Sequence, residues 1–328
     1  MSMRGGLALG IAVLMAAAVQ AADRTAWGDP DLRGTYTSDN SIGVPFERPP
    51  QFGTRAELTD EEYAARVNAN EEQLAKDLSP EPESEFSTED PSAINASRHW
   101  LERPDVPSRA TSMIVDPPSG RLPELTAAGQ QRATERRSRR GRGLPASYTD
   151  FTNYDRCLTR GVTGSILPVI YGNGTQVEQA PGVVVIRNEM IHEARVIPLD
   201  GSPHVGAAVR SWMGDSRGRF EGDTLVIETT NFTARTGLGG NGNGPVHGEN
   251  LRLVERLRRL DADTLRYEFT VQDPETYTAP WTVAFDLDGQ AGYEIYEYAC
   301  HEGNYGLANM LSAARAEERA AEQPPATR

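Results

Sequence analysis

Trp212-Met213-Gly214-Asp215-Ser216-Arg217-Gly218-Arg219-Phe220-Glu221-Gly222-Asp223-Thr224-Leu225-Val226-Ile227-Glu228-Thr229-Thr230-Asn231-Phe232 is the stretch on which the fold turns. Glycine and aspartate at 214–218 predict one turn, and Glu221-Gly222-Asp223 predicts a second. The apolar run 225–229 between turn signals reads as a strand. The turn chemistry marks 214–223 as a double corner that sets strand register. Asp215, Arg217 and Asp223 then belong first to that corner, with a polar pocket rim as their second reading.

Outward from this stretch the pattern has period two from about residue 154. A strand is expected at 175–179. A hairpin of 182–187 and 190–197 turns about Asn188-Glu189, and a turn-rich loop follows at 198–204. Trp212 closes another strand. Residues 251–260 and 265–272 form a hairpin about 261–264, and strands at 278–287 and 293–298 complete the set. About eight strands joined by short turns give a mainly β fold: an antiparallel meander or barrel, lipocalin-like in outline. A Gly/Asn-rich loop at 234–248 is expected to be exposed over a pocket.

The N-terminal side reads differently. Residues 1–21 form a signal peptide: Arg4 supplies the positive region, an apolar run of 7–19 follows, and Val19-Gln20-Ala21 is a small-x-small cleavage site. The run is shorter than the roughly 20 residues a membrane span needs. A periplasmic or secreted chain with no transmembrane segment after cleavage follows. Residues 22–150 are an irregular and helical arm packed on the barrel. Thr59 and Glu62 form a capping box that opens a surface helix to about Asp77. Residues 78–92 are an acidic loop, and 111–121 a short strand ended by a turn. Thr126 caps a helix to about Arg140 that carries Arg132, Arg136, Arg137, Arg139 and Arg140. That basic cluster is a solvated last turn in the first reading and a site for an acidic ligand in the second. Residues 151–307 are the β domain. A short C-terminal helix begins near Ala308, within a final segment 308–328 that ends in a disordered tail.

Composition limits function. The chain has 33 Lys+Arg against 47 Asp+Glu, a net charge of −14, which argues against nucleic acid as a partner. Of 2 cysteines, Cys157 and Cys300 close as a disulfide in an oxidising compartment, and a pair of metal-binding thiolates is the alternative. The bridge would close a loop of roughly 140 residues and restrict the unfolded state by about 4–5 kcal/mol.

Further motifs stand at Met190-Ile191-His192, Ile197-Pro198-Leu199-Asp200-Gly201, Asp273-Pro274-Glu275-Thr276, Pro280-Trp281-Thr282 and Tyr298-Ala299-Cys300-His301-Glu302-Gly303-Asn304-Tyr305. With Trp212–Phe232 they resemble those of a family of exported bacterial proteins, many from acidobacteria and proteobacteria. The likeness runs over most of the mature chain, including Pro30-Asp31-Leu32 and Asp116-Pro117-Pro118. Phe220 stands where that family's motif carries Trp. What the resemblance implies is export and one fold; it implies no activity.

Of 5 histidines, His192, His204, His247 and His301 fall in the β region. They support three readings: ligands of a divalent metal gathered from separate strands, packing and hydrogen bonding at strand ends, or acid–base catalysis beside carboxylates. Under the last, His192, His301 and Glu302 are the catalytic candidates. Trp212, Asp215, Arg217 and His204 are then the substrate contacts. Ser216 lacks the strand–elbow–helix context of a hydrolase nucleophile. The leading expectation is an enzyme, a hydrolase or lyase, acting on a small organic or carbohydrate ligand in a barrel pocket. A non-catalytic ligand-binding protein and a structural envelope protein are the alternatives. Histidines clustered in one cavity favour the first, an apolar cavity without them the second, and a filled barrel the third.

Overall fold

A computed structural model describes residues 24–78, 101–140 and 144–322, with the side chains of 138–140 left aside. The expected signal peptide, most of the acidic loop, the Arg139 and Arg140 side chains and the last residues lie outside the described residues.

Ten strands form one antiparallel sheet in the order β5-β4-β3-β1-β10-β9-β8-β7-β6, with β2 paired to β10. They are β1 Gly34–Thr37, β2 Ile114–Asp116, β3 Thr175–Ala180, β4 Val183–Asn188, β5 Ala194–Pro198, β6 Asp215–Glu221, β7 Thr224–Thr230, β8 Arg252–Arg259, β9 Thr264–Gln272 and β10 Trp281–Gly289. Helices α1 Asp60–Leu78, α2 Ala127–Arg140 and α3 Gly306–Glu322 lie outside the sheet order. The sheet curls into a nearly closed barrel whose two edges are β5 and β6. Thus the mainly β, barrel-like expectation holds, with an irregular N-terminal region and a short C-terminal helix. Among the described residues no helix is long and apolar enough to cross a membrane.

The hairpins follow from alternation. In β9 Leu265, Tyr267, Phe269 and Val271 are buried while their neighbours are not. The expected turn at 261–264 joins β8 to β9 in the register Arg259↔Leu265 through Arg252↔Gln272. The capping box forms as read: Thr59 N–H donates to Glu62 Oε2 at 2.8 Å, and Glu62 N–H to Thr59 Oγ1 at 3.3 Å. Thr126 Oγ1 caps α2 by accepting from Gly129 N–H at 3.1 Å.

Four expectations are corrected. Residues 214–218 are not a turn: Asp215–Glu221 is β6, paired with β7 from Asp215↔Thr230 to Glu221↔Thr224. Gly218 is glycine because β5 crosses there. A Cβ would come within 2.7 Å of Leu199 and 2.8 Å of Ile197. Only the second turn, at Gly222 (φ +62°), is present. Residues 190–192 are a 3-10 turn, not strand, with Ile191 and His192 at φ 61° and 44°. Residues 293–298 form no strand, since β10 is already paired with β9 on one side and with β1 and β2 on the other. Trp212 does not close a strand either; beside it Ser211 makes an isolated bridge to Phe232. Within the arm read as irregular and helical, residues 34–37 supply β1, which joins β3 to β10.

The barrel is filled. Trp281, Tyr267, Phe269, Ile186, Ile197, Leu225 and Leu253 are all within 1% of full burial. Edge-to-face ring pairs join Trp281 to Phe46, Phe269 and Tyr277 at centroid distances of 5.9, 6.0 and 5.6 Å. One ion pair lies inside. Arg195 of β5 binds Glu255 of β8 through two bonds of 2.7 and 2.8 Å, and Tyr267 O–H donates to the same carboxylate at 2.9 Å. Burial opposes the charge on Arg195, but the field and hydrogen bonds of Glu255 outweigh it and hold its pKa raised. Removing one partner of such a pair leaves a buried unpaired charge. Glu255→Ala is expected to cost about 3–5 kcal/mol. The double replacement Arg195→Met/Glu255→Leu is expected to cost much less. Guanidinium unfolding at constant slope measures both; equal losses in the two variants would count against the pair.

Candidate functional site

The four β-region histidines occupy separate surroundings. His247 is buried under Phe232, ring to ring at 5.7 Å. Its Nδ1–H donates to Gly248 O at 2.9 Å, and Nε2 accepts from Thr236 Oγ1 at 3.1 Å. Burial pushes its pKa down, so it is a neutral packing residue at pH 7. His204 is part-buried beside β6, its Nδ1 2.9 Å from Asp215 Oδ2 and its Nε2 3.8 Å from Glu228 Oε1. His192 is exposed on the 3-10 turn, its Nδ1 3.3 Å from the Tyr298 carbonyl. His301 and Glu302 are exposed next to the bridge. Among the described residues no group of three or more His, Cys, Asp or Glu side chains lies where it could hold a metal ion.

Three of the expected substrate contacts do meet. Arg217 binds Asp215 Oδ1 at 2.8 Å while His204 and the Val205 N–H hold Oδ2. Burial works against the Asp215 charge, yet these three donors hold its pKa below the usual range. Trp212 is part-buried nearby in sequence. A histidine fixed at Nδ1 by a carboxylate presents Nε2 as a base. On the other hand Glu228, which Nε2 faces, is already tied to Arg252, and its pKa is lowered chiefly by that bond.

The disulfide forms a second centre. Cys157 and Cys300 are joined with Cα atoms 5.6 Å apart. The bridge holds the Tyr298–Tyr305 motif against residues 153–160, where Asn304 Nδ2 donates to the Asp155 carbonyl at 3.3 Å. Beneath lies Arg160, fully buried, which sequence reasoning missed. Its Nε donates to Asn241 Oδ1 at 2.7 Å and its Nη1 to Gly172 O at 2.9 Å, while Nη2 has no hydrogen-bond partner. Tyr154 and Tyr171, bonded hydroxyl to hydroxyl at 2.9 Å, face it. A signal existed: from 157 to 177 Arg160 is the one charged residue. Four non-glycine residues with positive φ border this centre, Cys157, Ile191, His192 and Asn241.

A cleft of about 290 Å³ opens between α2 and residues 244–246. Leu122, Pro123, Leu125, Ala133, Val246 and Tyr277 line it together with Arg136 and Arg137. Its walls are fixed by close packing and bonds. A Cβ on Gly129 would fall 2.2 Å from Thr276 O, so only glycine lets α2 sit this close. Tyr277 O–H donates to Val246 O at 2.7 Å. Arg136 binds the Thr236 and Gly242 carbonyls at 3.3 and 2.8 Å. The 234–248 loop, expected to be exposed, is largely buried at Thr236, Leu238, Val246 and His247. No protein-family model, curated protein or solved structure matches the chain.

A titration follows from Glu102. Its carboxylate accepts from Gly172 N–H at 2.9 Å and Asn173 N–H at 3.2 Å, but burial and the adjacent Asp39 carboxyl push its pKa up to about 8. The folded state keeps a proton that the unfolded chain releases near 4.5. Stability from this group is full below about pH 4.5 and lost as pH rises through about 8. Asp288, raised to about 6 by burial and by Asp286 and Asp39, adds the same sign lower in that window. Stability is therefore expected to fall from pH 5 to pH 8.5, with a smaller slope in Glu102→Gln. Chemical denaturation across that range checks it; identical slopes would remove Glu102 from the account.

Proposed function

We propose that this chain is an exported, non-catalytic binding protein that holds a small, largely apolar ligand in the cleft beside α2. One observation carries the reading: the cleft is a fixed, mostly apolar cavity with a few polar groups at its edge, the usual form of a small-molecule site. The barrel that would have housed an active site is packed with aromatic and aliphatic side chains. The histidines that would have served it are dispersed. A filled barrel taken alone favours a structural protein; the apolar cleft outside it, lined by no histidine, is what favours binding. The disulfide supports an oxidising compartment, which agrees with the signal peptide and with the resemblance to exported bacterial proteins.

A second reading keeps an acid–base enzyme, and the contact between His204 and Asp215 favours it. Against it, Glu228 opposite is held by Arg252.

The two readings separate in one experiment. An environment-sensitive apolar dye is expected to bind the purified protein with enhanced fluorescence. Ala133→Trp, which fills the cleft from α2, is expected to reduce that binding tenfold or more with little change in melting temperature. His192→Ala/His301→Ala and His204→Ala are expected to leave it unchanged. Dye binding that survives Ala133→Trp but disappears in the histidine variants would transfer the site to the histidines.

A further inference from the structure

The chemistry of the cleft specifies more than an apolar occupant. Its lining includes two arginines and no acidic side chain. The two guanidinium groups differ in what they are free to do. Arg136 is turned back onto the carbonyls of Thr236 and Gly242 and serves as a fixed positive charge in the wall. Arg137 is exposed, makes no salt bridge among the described residues, and has as its one hydrogen bond a 3.5 Å contact from Nη2 to Thr134 Oγ1. One turn away Arg132 is already engaged by Glu275 at 3.2 Å and by Thr276 Oγ1 at 3.0 Å. So the rim offers one uncommitted planar fork of N–H donors above an apolar trough, in a chain whose net charge is −14.

Resting on the cleft being a ligand site, we infer that its ligand is an amphipathic organic anion: a medium-length aliphatic carboxylate with its chain against Leu122, Leu125, Val246 and Tyr277 and its head group on Arg137. The fork geometry of a guanidinium matches a carboxylate through two parallel bonds. The cleft is small, with about 290 Å³ of free space, near the lower end of small-molecule sites, which suits a single short chain. A chain of about eight carbons with its head is the length we propose. A sulfate or phosphate head on the same chain shares the anionic chemistry, and the ligands compared below separate the heads.

The test uses the full exported chain with its disulfide intact and ligands below their micelle concentrations. Octanoate, octyl sulfate and octanol are titrated against the bound dye and by calorimetry. Octanoate is expected to bind at least tenfold more tightly than octanol. Octyl sulfate is expected to fall between them, because its tetrahedral head meets the planar fork less well. Each methylene removed from octanoate is expected to weaken binding about fourfold. Arg137→Gln, an exposed substitution, is expected to erase the preference for octanoate and leave octanol binding unchanged. Raising salt from 20 to 300 mM is expected to shrink the preference. Equal binding of octanol and octanoate, or a preference that survives Arg137→Gln, overturns the anionic ligand while leaving an apolar site in place. A preference for octyl sulfate over octanoate overturns the carboxylate. If neither octanoate nor octanol displaces the dye and calorimetry is silent for both, the cleft reading itself fails.

Discussion

The fold depends on an ion pair set where hydrogen bonding between strands stops. β5 and β6 are the two ends of the sheet, and no ladder joins them. Arg195 reaches from β5 across the interior to Glu255 on β8, with Tyr267 of β9 on the same carboxylate and Ser216 of β6 3.4 Å from Nη1. One buried guanidinium thus links four strands, including both edges. A hydrophobic filling of equal volume could be as stable. It would not fix which edge approaches which, and here Gly218 lets Ile197 and Leu199 close against β6 only in that arrangement. The polar network therefore acts as a register device, with the apolar layers of β9 and β10 supplying most of the burial.

Large buried side chains fill the barrel interior, and the cleft beside α2 lies outside it. Arg195, Glu255 and Tyr267 satisfy one another inside the barrel, and the aromatic layer around Trp281 continues outward through Tyr277 to the floor of the cleft beside α2. Tyr277 belongs to both. Its ring packs on Trp281 at 5.6 Å, and its hydroxyl holds the Val246 carbonyl. The cleft is therefore an extension of the core surface, shaped by the same packing, over which α2 lies as a lid fixed through Gly129 and Thr126.

What the sequence made legible was local. The β8–β9 hairpin shows in strict alternation, the start of α1 shows in Thr59 and Glu62 and that of α2 in Thr126, and the cysteine pair shows in composition and compartment. What it hid depends on distant partners. Gly218 reads as a turn because glycine usually marks one, and only the crossing of β5 explains it otherwise. Residues 293–298 alternate like a strand, but strands need an open edge and β10 has none to give. Glu189 takes the Tyr293 hydroxyl at 2.6 Å and His192 meets the Tyr298 carbonyl, so this segment is held by side chains where a ladder was expected. The candidate site was the least legible part. Arg136 and Arg137 read as a basic cluster, but part of the apolar wall facing them, Pro245, Val246 and Tyr277, lies more than 100 positions away along the chain.

The arginines show how the same side chain takes different work from its surroundings. Arg195, sealed in the barrel, has a carboxylate on both forks and is spent on closure. Arg160, equally buried beneath the disulfide, has a carbonyl and an amide oxygen but no bound carboxylate, and burial lowers its pKa accordingly. It carries a standing electrostatic cost, and around it the backbone is strained at Cys157, Ile191, His192 and Asn241. That centre survives because the disulfide and the packed 154–172 segment over-determine it. Arg137 is exposed, and among the described residues it makes no salt bridge and only a 3.5 Å contact with Thr134, so little in the described fold engages its charge. A guanidinium whose removal costs the fold little is one whose charge is open to a ligand, and it stands at the mouth of a cleft whose walls the fold has already fixed.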